Sequence, residues 1–214
     1  MSSADPTRSS DTRTLHVAPH GSDLADGSEA HPFRRISAAA EEAIPGDTVL
    51  VHEGLYRERI DPPRGGTSAA GRIRYQAAPG ERVEIRGSEP INGWEPESGG
   101  LWRAAVPNTL FGHYHPYRER IRGDWFDDCG RPHHTGALYL DGEWLLEAAS
   151  AEELVRADRS MLSWHAEVGE AETIFRANFG EIDPNAALTE INVRPTVFYP
   201  FRTGIDYLTL SGFI

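Results

Sequence analysis

The chain of 214 residues carries 21 basic residues, all of them Arg, against 33 acidic ones, for a net charge of −12. So acidic a surface repels polyanions, which argues against nucleic acid and polyuronate partners, and no run approaches the roughly 18 consecutive apolar residues of a membrane span. With 39% apolar and 25% charged residues it reads as a globular protein with one good core, or one core and a smaller second one.

Residues 1–13 are polar and rich in Ser, Asp and Thr; a loose tail without a secretory leader is expected there. Thr14-Leu-His-Val17 then reads as a first short strand. A Gly/Asp/Ser-rich loop leads to a helical run from Ser37 to Ala43, with Ile36, Ala39, Ala40 and Ala43 on one face; Pro45-Gly46 stop it. Four extended pieces follow: Thr48–Val51, Tyr56–Ile60, Arg72–Gln76 and Val83–Arg86. Each ends at Gly or Pro, the pattern of a sheet winding on itself. Residues 14–90 are therefore expected to open a right-handed parallel β-helix, the helix capping its exposed end.

The pattern changes at residue 91. Ala137–Ala148 is a hairpin signal centred on Asp141-Gly142, and Ser150-Ala-Glu-Glu153 is a capping box for a short helix. Thr173–Phe179 and Leu188–Arg194 alternate as antiparallel strands around Asp183-Pro-Asn185, so residues 91–200 are expected to form an inserted antiparallel β-sandwich. Ile205–Leu210 resumes the coil-type strand and is expected to pair in parallel with a strand of the 72–87 region. Residues 201–214 then supply one strand of a further coil. The fold class is mainly β, with a solenoid left incomplete at Gly212-Phe213-Ile214, an uncovered edge that invites homo-oligomer formation.

Several residues suggest chemistry, each beside a plainer packing role. Asp124 with Asp127 or Asp128 could supply the two carboxyls about 5 Å apart that retaining glycoside hydrolysis needs, although adjacent acidic loop residues are usually solvated. His113, His115, His133 and His134 lack a Cys or carboxylate at familiar ligand spacing, so neither a metal nor any other cofactor is expected. His52-Glu53 suggests acid/base work but fits a polar corner between coils better. Cys129, the only cysteine, stands beside two Asp and makes a poor thiolate; with no internal disulfide possible, a reducing cytoplasm fits. Trp94, Trp102 and Trp144 read as core. Trp125, after Gly123-Asp124 in a polar loop, reads as a platform for the C–H face of a sugar, with Asp124 able to accept a sugar hydroxyl.

Trp102-Arg103, Pro107-Asn108, Phe111-Gly112, Pro116-Tyr117 and Gly123-Asp124-Trp125 resemble the β-xylosidases of glycoside hydrolase family 120. Ala177-Asn-Phe179, Asp183-Pro-Asn185, Glu190–Arg194, Phe198-Tyr-Pro200 and Thr203–Asp206 continue the resemblance. It implies a right-handed β-helix with an inserted β-sandwich, hydrolysing neutral β-xylosides or xylo-oligosaccharides with retention. It also implies an Asp nucleophile and a Glu acid/base on later coils, so no catalytic residue is assigned within this chain and the chain alone is expected to be inactive. A polysaccharide lyase on the same fold, or a non-catalytic carbohydrate-binding segment, are the alternative readings; a lyase wants cationic groups that this acidic chain lacks.

Overall fold

A computed structural model describes residues 12–158 and 160–214. The loose tail expected over residues 1–13 falls, as far as residue 11, outside the described residues; Arg13 is held, its guanidinium Nη2 donating to Asp47 Oδ2 at 2.8 Å. In chain order the elements are β1 (Thr14–Val17), α1 (Ile36–Glu42), β2 (Thr48–Val51), β3 (Gly54–Arg57), β4 (Ile73–Ala77), β5 (Val83–Arg86), β6 (Ser88–Pro90), β7 (Glu95–Glu97) and β8 (Leu101–Pro107). There follow β9 (Leu138–Leu140), β10 (Glu143–Trp144), β11 (Leu146–Glu147), α2 (Ala151–Arg156), β12 (Ser163–Val168), β13 (Glu172–Asn178), β14 (Thr189–Asn192) and β15 (Leu208–Ser211). The protein is mainly β, in several sheets. No helix among the described residues is long and apolar enough to cross a membrane.

The chain divides into two compact units, residues 12–86 with 196–214, and Gly87–Pro195. In the first, β1, β2, β4 and β15 form one sheet in that order, every neighbouring pair parallel. Ile205–Leu210 was expected to join the 72–87 region in parallel, and Leu208–Ser211 does so against Ile73–Gln76. A second parallel pair joins β3 to β5. Alternation sets the faces: Leu15, Val49 and Tyr75 stand in register across three strands and are all buried, as are Val17, Val51 and Ala77. Ile36, Ala39, Ala40 and Ala43 of α1 complete this core.

No side chain of its own caps α1. Instead Glu58 reaches from beyond β3, its carboxylate accepting from the backbone N–H groups of Ile36 and Ser37, each at 2.8 Å. Two of the donors a helix start leaves open are thereby satisfied, and the negative charge lies at the positive end of the helix. That is why a carboxylate can stand buried here. Asp47, also buried, accepts from the Ile44 N–H at 2.9 Å and so shapes the turn after the helix.

In the second unit one sheet has the order β10-β9-β14-β6, antiparallel throughout. The other has the order β11-β12-β13-β8-β7, antiparallel except where β11 meets β12. Trp164, Phe175, Phe179, Leu138 and Ile191 form its core with Tyr117. The Tyr117 hydroxyl donates to the Ala137 carbonyl at 2.7 Å, and its ring stands edge-on to Phe111, Trp164 and Phe175.

Two expectations need correction. β13 and β14 are not partners of each other: β13 lies between β12 and β8 in one sheet, β14 between β9 and β6 in the other. Alternation reveals which face of a strand is buried, not which strand lies beside it. Trp144 is not core but 73% exposed. The turn Asp141-Gly142 has positive φ at both residues (50° and 88°), which sets Trp144 opposite Tyr139, on the face away from the buried Leu138 and Leu140. Trp164 takes the core place instead, 1% exposed, its indole N–H donating to the Leu145 carbonyl at 3.1 Å. Trp94 is buried as expected, whereas Trp102 is only half-buried against the same core.

Candidate functional site

Between Arg118 and Thr135 the second unit extends a loop closed at its base like a hairpin. Ile121 N–H donates to the His133 carbonyl at 2.8 Å and Thr135 N–H to the Glu119 carbonyl at 2.9 Å, with an antiparallel bridge between Arg120 and His134. At the tip, Asp127 and Asp128 each accept from the backbone two residues on, Cys129 N–H and Gly130 N–H, both at 2.9 Å. These are turn-forming carboxylates. Asp127 and Asp128 thus have a structural occupation, and Asp124, exposed, enters no hydrogen bond or ion pair among the described residues.

Trp125 is 76% exposed. Its indole lies back over Gly123, where an added Cβ would come within 2.4 Å of the ring nitrogen, so only glycine permits this pose. Behind it the rings run on: Trp125 to Phe126 at 5.7 Å and Phe126 to His133 at 5.5 Å, both edge-on. The indole is thus exposed and braced from behind, and Asp124 beside it has both carboxylate oxygens without a hydrogen bond among the described residues.

The base of the loop is tied to the strands. His134 Nδ1 meets Glu147 Oε1 at 2.5 Å while its backbone N–H donates to Glu147 Oε2 at 3.1 Å. Arg131 donates through Nη2 to the Glu147 carbonyl at 2.5 Å and through Nη1 to Glu153 at 3.3 Å. Between loop, β10–β11 and the end of α2 lies a cavity of about 550 Å³. Glu153 also completes the expected capping box, accepting from Ala149 N–H at 3.0 Å while Ser150 Oγ accepts from Glu153 N–H at 3.1 Å.

The four weighed histidines do not converge. His113 is exposed; His115 stacks on Phe111 at 4.2 Å with Nε2 near Asn108 Oδ1 and Thr173 Oγ1, and burial, helped by Arg118, lowers its pKa. Among the described residues no group of three or more His, Cys, Asp or Glu is placed to hold a metal.

The first unit holds a constellation of His16, His52 and Glu81. His52 Nε2 lies 3.0 Å from His16 Nδ1, and His52 Nδ1 lies 3.2 Å from Glu81 Oε1. Glu81 Oε2 also accepts from the Glu53 N–H at 2.6 Å. The partners of His52 are His16 and Glu81: β1 beside β2 brings His16, and β4 on the other side of β2 leads into Glu81. Burial first and the charge of His52 second lower the His16 pKa.

Residues 91–191 match the family described as glycoside hydrolase 120, insertion domain. The chain is similar to XylC, solved as a complex with xylose: 40% identical, TM-score 0.88, over 94% of this chain and 34% of that one. It is also 37% identical over 78 residues to the uncharacterized protein YwoF of Bacillus subtilis (strain 168), covering 36% of this chain and 16% of that protein. The chain thus spans about a third of the length of XylC.

Proposed function

We propose that this chain belongs to a retaining glycoside hydrolase acting on β-xylosides or short xylo-oligosaccharides, and that its inserted unit supplies one wall of the sugar site. The observation that carries this reading is the likeness to XylC, close in sequence as well as in fold, together with the xylose bound to that protein. In this reading Trp125 presents its indole to the C–H face of a pyranose and Asp124 accepts one of its hydroxyls. The carboxyl pair that retaining hydrolysis requires, about 5 Å apart, is assigned to none of the present residues. Asp127 and Asp128 are committed to their own turn.

The parallel ladders of β1-β2-β4-β15 and β3-β5 support reading residues 14–90 and 201–214 as coils of a right-handed parallel β-helix, with α1 as its cap. The inserted sandwich, expected over residues 91–200, then corresponds to the second unit, Gly87–Pro195. We place the protein in the cytoplasm, its single Cys129 free and exposed, and expect association through the β15 edge.

Two measurements test the reading. The 214-residue protein is expected not to turn over a chromogenic β-xyloside, yet to bind xylose saturably and to lose that binding in Trp125→Ala. Turnover that survives re-purification and vanishes in Asp124→Asn would move the catalytic pair into this chain. Xylose binding indifferent to Trp125 would remove the platform.

A further inference from the structure

The cavity of about 550 Å³ between the 118–135 loop, β10–β11 and α2 is of ligand size and has a lopsided lining. Phe126, Trp144, Leu146, Ala148 and Met161 make its apolar walls. Trp144 is 73%, Leu146 57% and Met161 49% exposed, so these side chains stand open where water gains nothing from them.

Of its polar groups, the carboxylates and Ser163 already hold partners, and the imidazoles of His133 and His134 are the ones left with open nitrogens. Both carboxylate oxygens of Glu147 are taken by His134, and Arg131 donates through Nη1 and Nη2 to Glu153 and the Glu147 carbonyl, while its Nε is buried without a partner among the described residues. Ser163, also on the lining, donates to the Met161 carbonyl at 3.2 Å. Because a carboxylate only accepts, His134 carries its proton on Nδ1. Nε2, which makes no hydrogen bond among the described residues, is then an acceptor in the neutral ring. The pair fixes both the tautomer and the orientation of that acceptor, as a carboxylate does behind any working imidazole.

We propose that this cavity is a binding site for a small phenolic compound. The aromatic ring lies along Trp144 and Met161, and its hydroxyl donates to His134 Nε2. A pyranoside fits less well, since Glu147, Glu153 and Ser163 already hold partners, Arg131 Nε is buried out of reach, and its several hydroxyls would outnumber the open imidazole nitrogens of His133 and His134. A phenol brings one acidic O–H to one acceptor and leaves two apolar faces for the walls. This site shares Phe126 with the bracing of Trp125, but it does not depend on the xyloside reading.

The test is calorimetry and saturation-transfer NMR on the full 214-residue chain, with 4-methylphenol, toluene and methyl β-xyloside as probes. 4-Methylphenol is expected to bind saturably, with toluene about fivefold weaker or worse for want of the hydroxyl. Trp144→Ala and Met161→Ala, both at exposed positions, should each weaken 4-methylphenol by about tenfold while the melting temperature holds. Trp125→Ala, which probes the sugar wall, should leave the 4-methylphenol isotherm in place. Absence of 4-methylphenol binding, or toluene binding as well as 4-methylphenol, overturns the proposal. So does a methyl β-xyloside signal that Trp144→Ala abolishes, which would make the cavity a sugar site. Self-association abolished by Trp144→Ala without phenol binding would make this face a contact between copies, and equally overturns it.

Discussion

Replacing three tryptophans of the inserted unit by alanine separates a core role from a ligand role. Trp164 is 1% exposed and stands edge-on to Tyr117 at 5.5 Å, with its N–H on the Leu145 carbonyl. Removing a buried indole costs about 3–5 kcal/mol, and stranding the Leu145 carbonyl adds about 1 kcal/mol or more. Trp164→Ala is therefore expected to destabilise the unit by about 4–6 kcal/mol. Trp125 has only a quarter of its surface out of water, since 76% is exposed. At about 25 cal/mol per Å², that quarter of roughly 250 Å² is worth at most about 1.5 kcal/mol, and less against a compact unfolded chain. Trp144→Ala belongs with Trp125→Ala on the same reasoning. Urea unfolding followed by circular dichroism reads all three, the transition of the inserted unit being the one Trp164→Ala moves. In a relative of this chain with a complete site, Trp125→Ala should also weaken sugar binding by about 1–3 kcal/mol, the worth of covering one large side chain. Were Trp125→Ala to cost as much stability as Trp164→Ala while leaving sugar binding unchanged, Trp125 would be a packing residue and the platform would fall.

Glu58→Gln should destabilise the first unit by about 2–3 kcal/mol, losing a charge-assisted cap on the Ile36 and Ser37 N–H groups, with faster amide exchange confined first to α1; unchanged exchange in α1 would refute the capping role. Gly123→Ala should leave the melting temperature nearly unchanged but release Trp125 from its pose, seen as a shift of its indole N–H resonance and as weaker sugar binding; an unmoved resonance would show that Gly123 does not set the pose. The lowered His16 pKa carries a sign. The unfolded imidazole takes up its proton near pH 6.5, the folded one only at lower pH, so the contribution of His16 is whole above about 6.5 and fades as pH falls through the folded value. Between pH 7.5 and 5 the wild-type stability should therefore fall more steeply than that of His16→Gln, and the opposite slope would contradict the His16–His52 contact.

Much of the first unit was legible because its strands are short, apolar and ended by Gly or Pro, so that Thr48–Val51 and Val83–Arg86 appear with the bounds that local pattern gives them. The hairpin turn at Asp141-Gly142 was legible for the same reason, two residues that tolerate positive φ. What lay beyond reach was pairing. Nothing local says that β14 inserts between β9 and β6, or that Glu81 comes to His52 across nearly thirty residues. Hydrophobicity alone points Trp144 inward, but its phase does not: Leu138, Leu140 and Leu145 hold the inward positions, and the indole is left outside. Trp164 had a signal, the alternation of Ser163-Trp-His-Ala-Glu-Val168, that points its ring inward. Trp125 stood out because its neighbours are Gly and Asp, and it is exposed.

The backbone at the two ends of the inserted unit is clasped almost within one residue: the Gly87 carbonyl accepts from both Val193 N–H at 3.0 Å and Arg194 N–H at 3.1 Å. A polypeptide excursion that returns to its starting point asks little of the chain it interrupts. Once the excursion has folded, its free ends are already joined, and the entropy of closing so long a loop, which grows only with the logarithm of its length, is no longer borne by the parallel strands on either side. Such a junction lets a gene gain, lose or exchange the whole segment without rewriting the host, and it marks Gly87 and Pro195 as the places at which to cut the two apart.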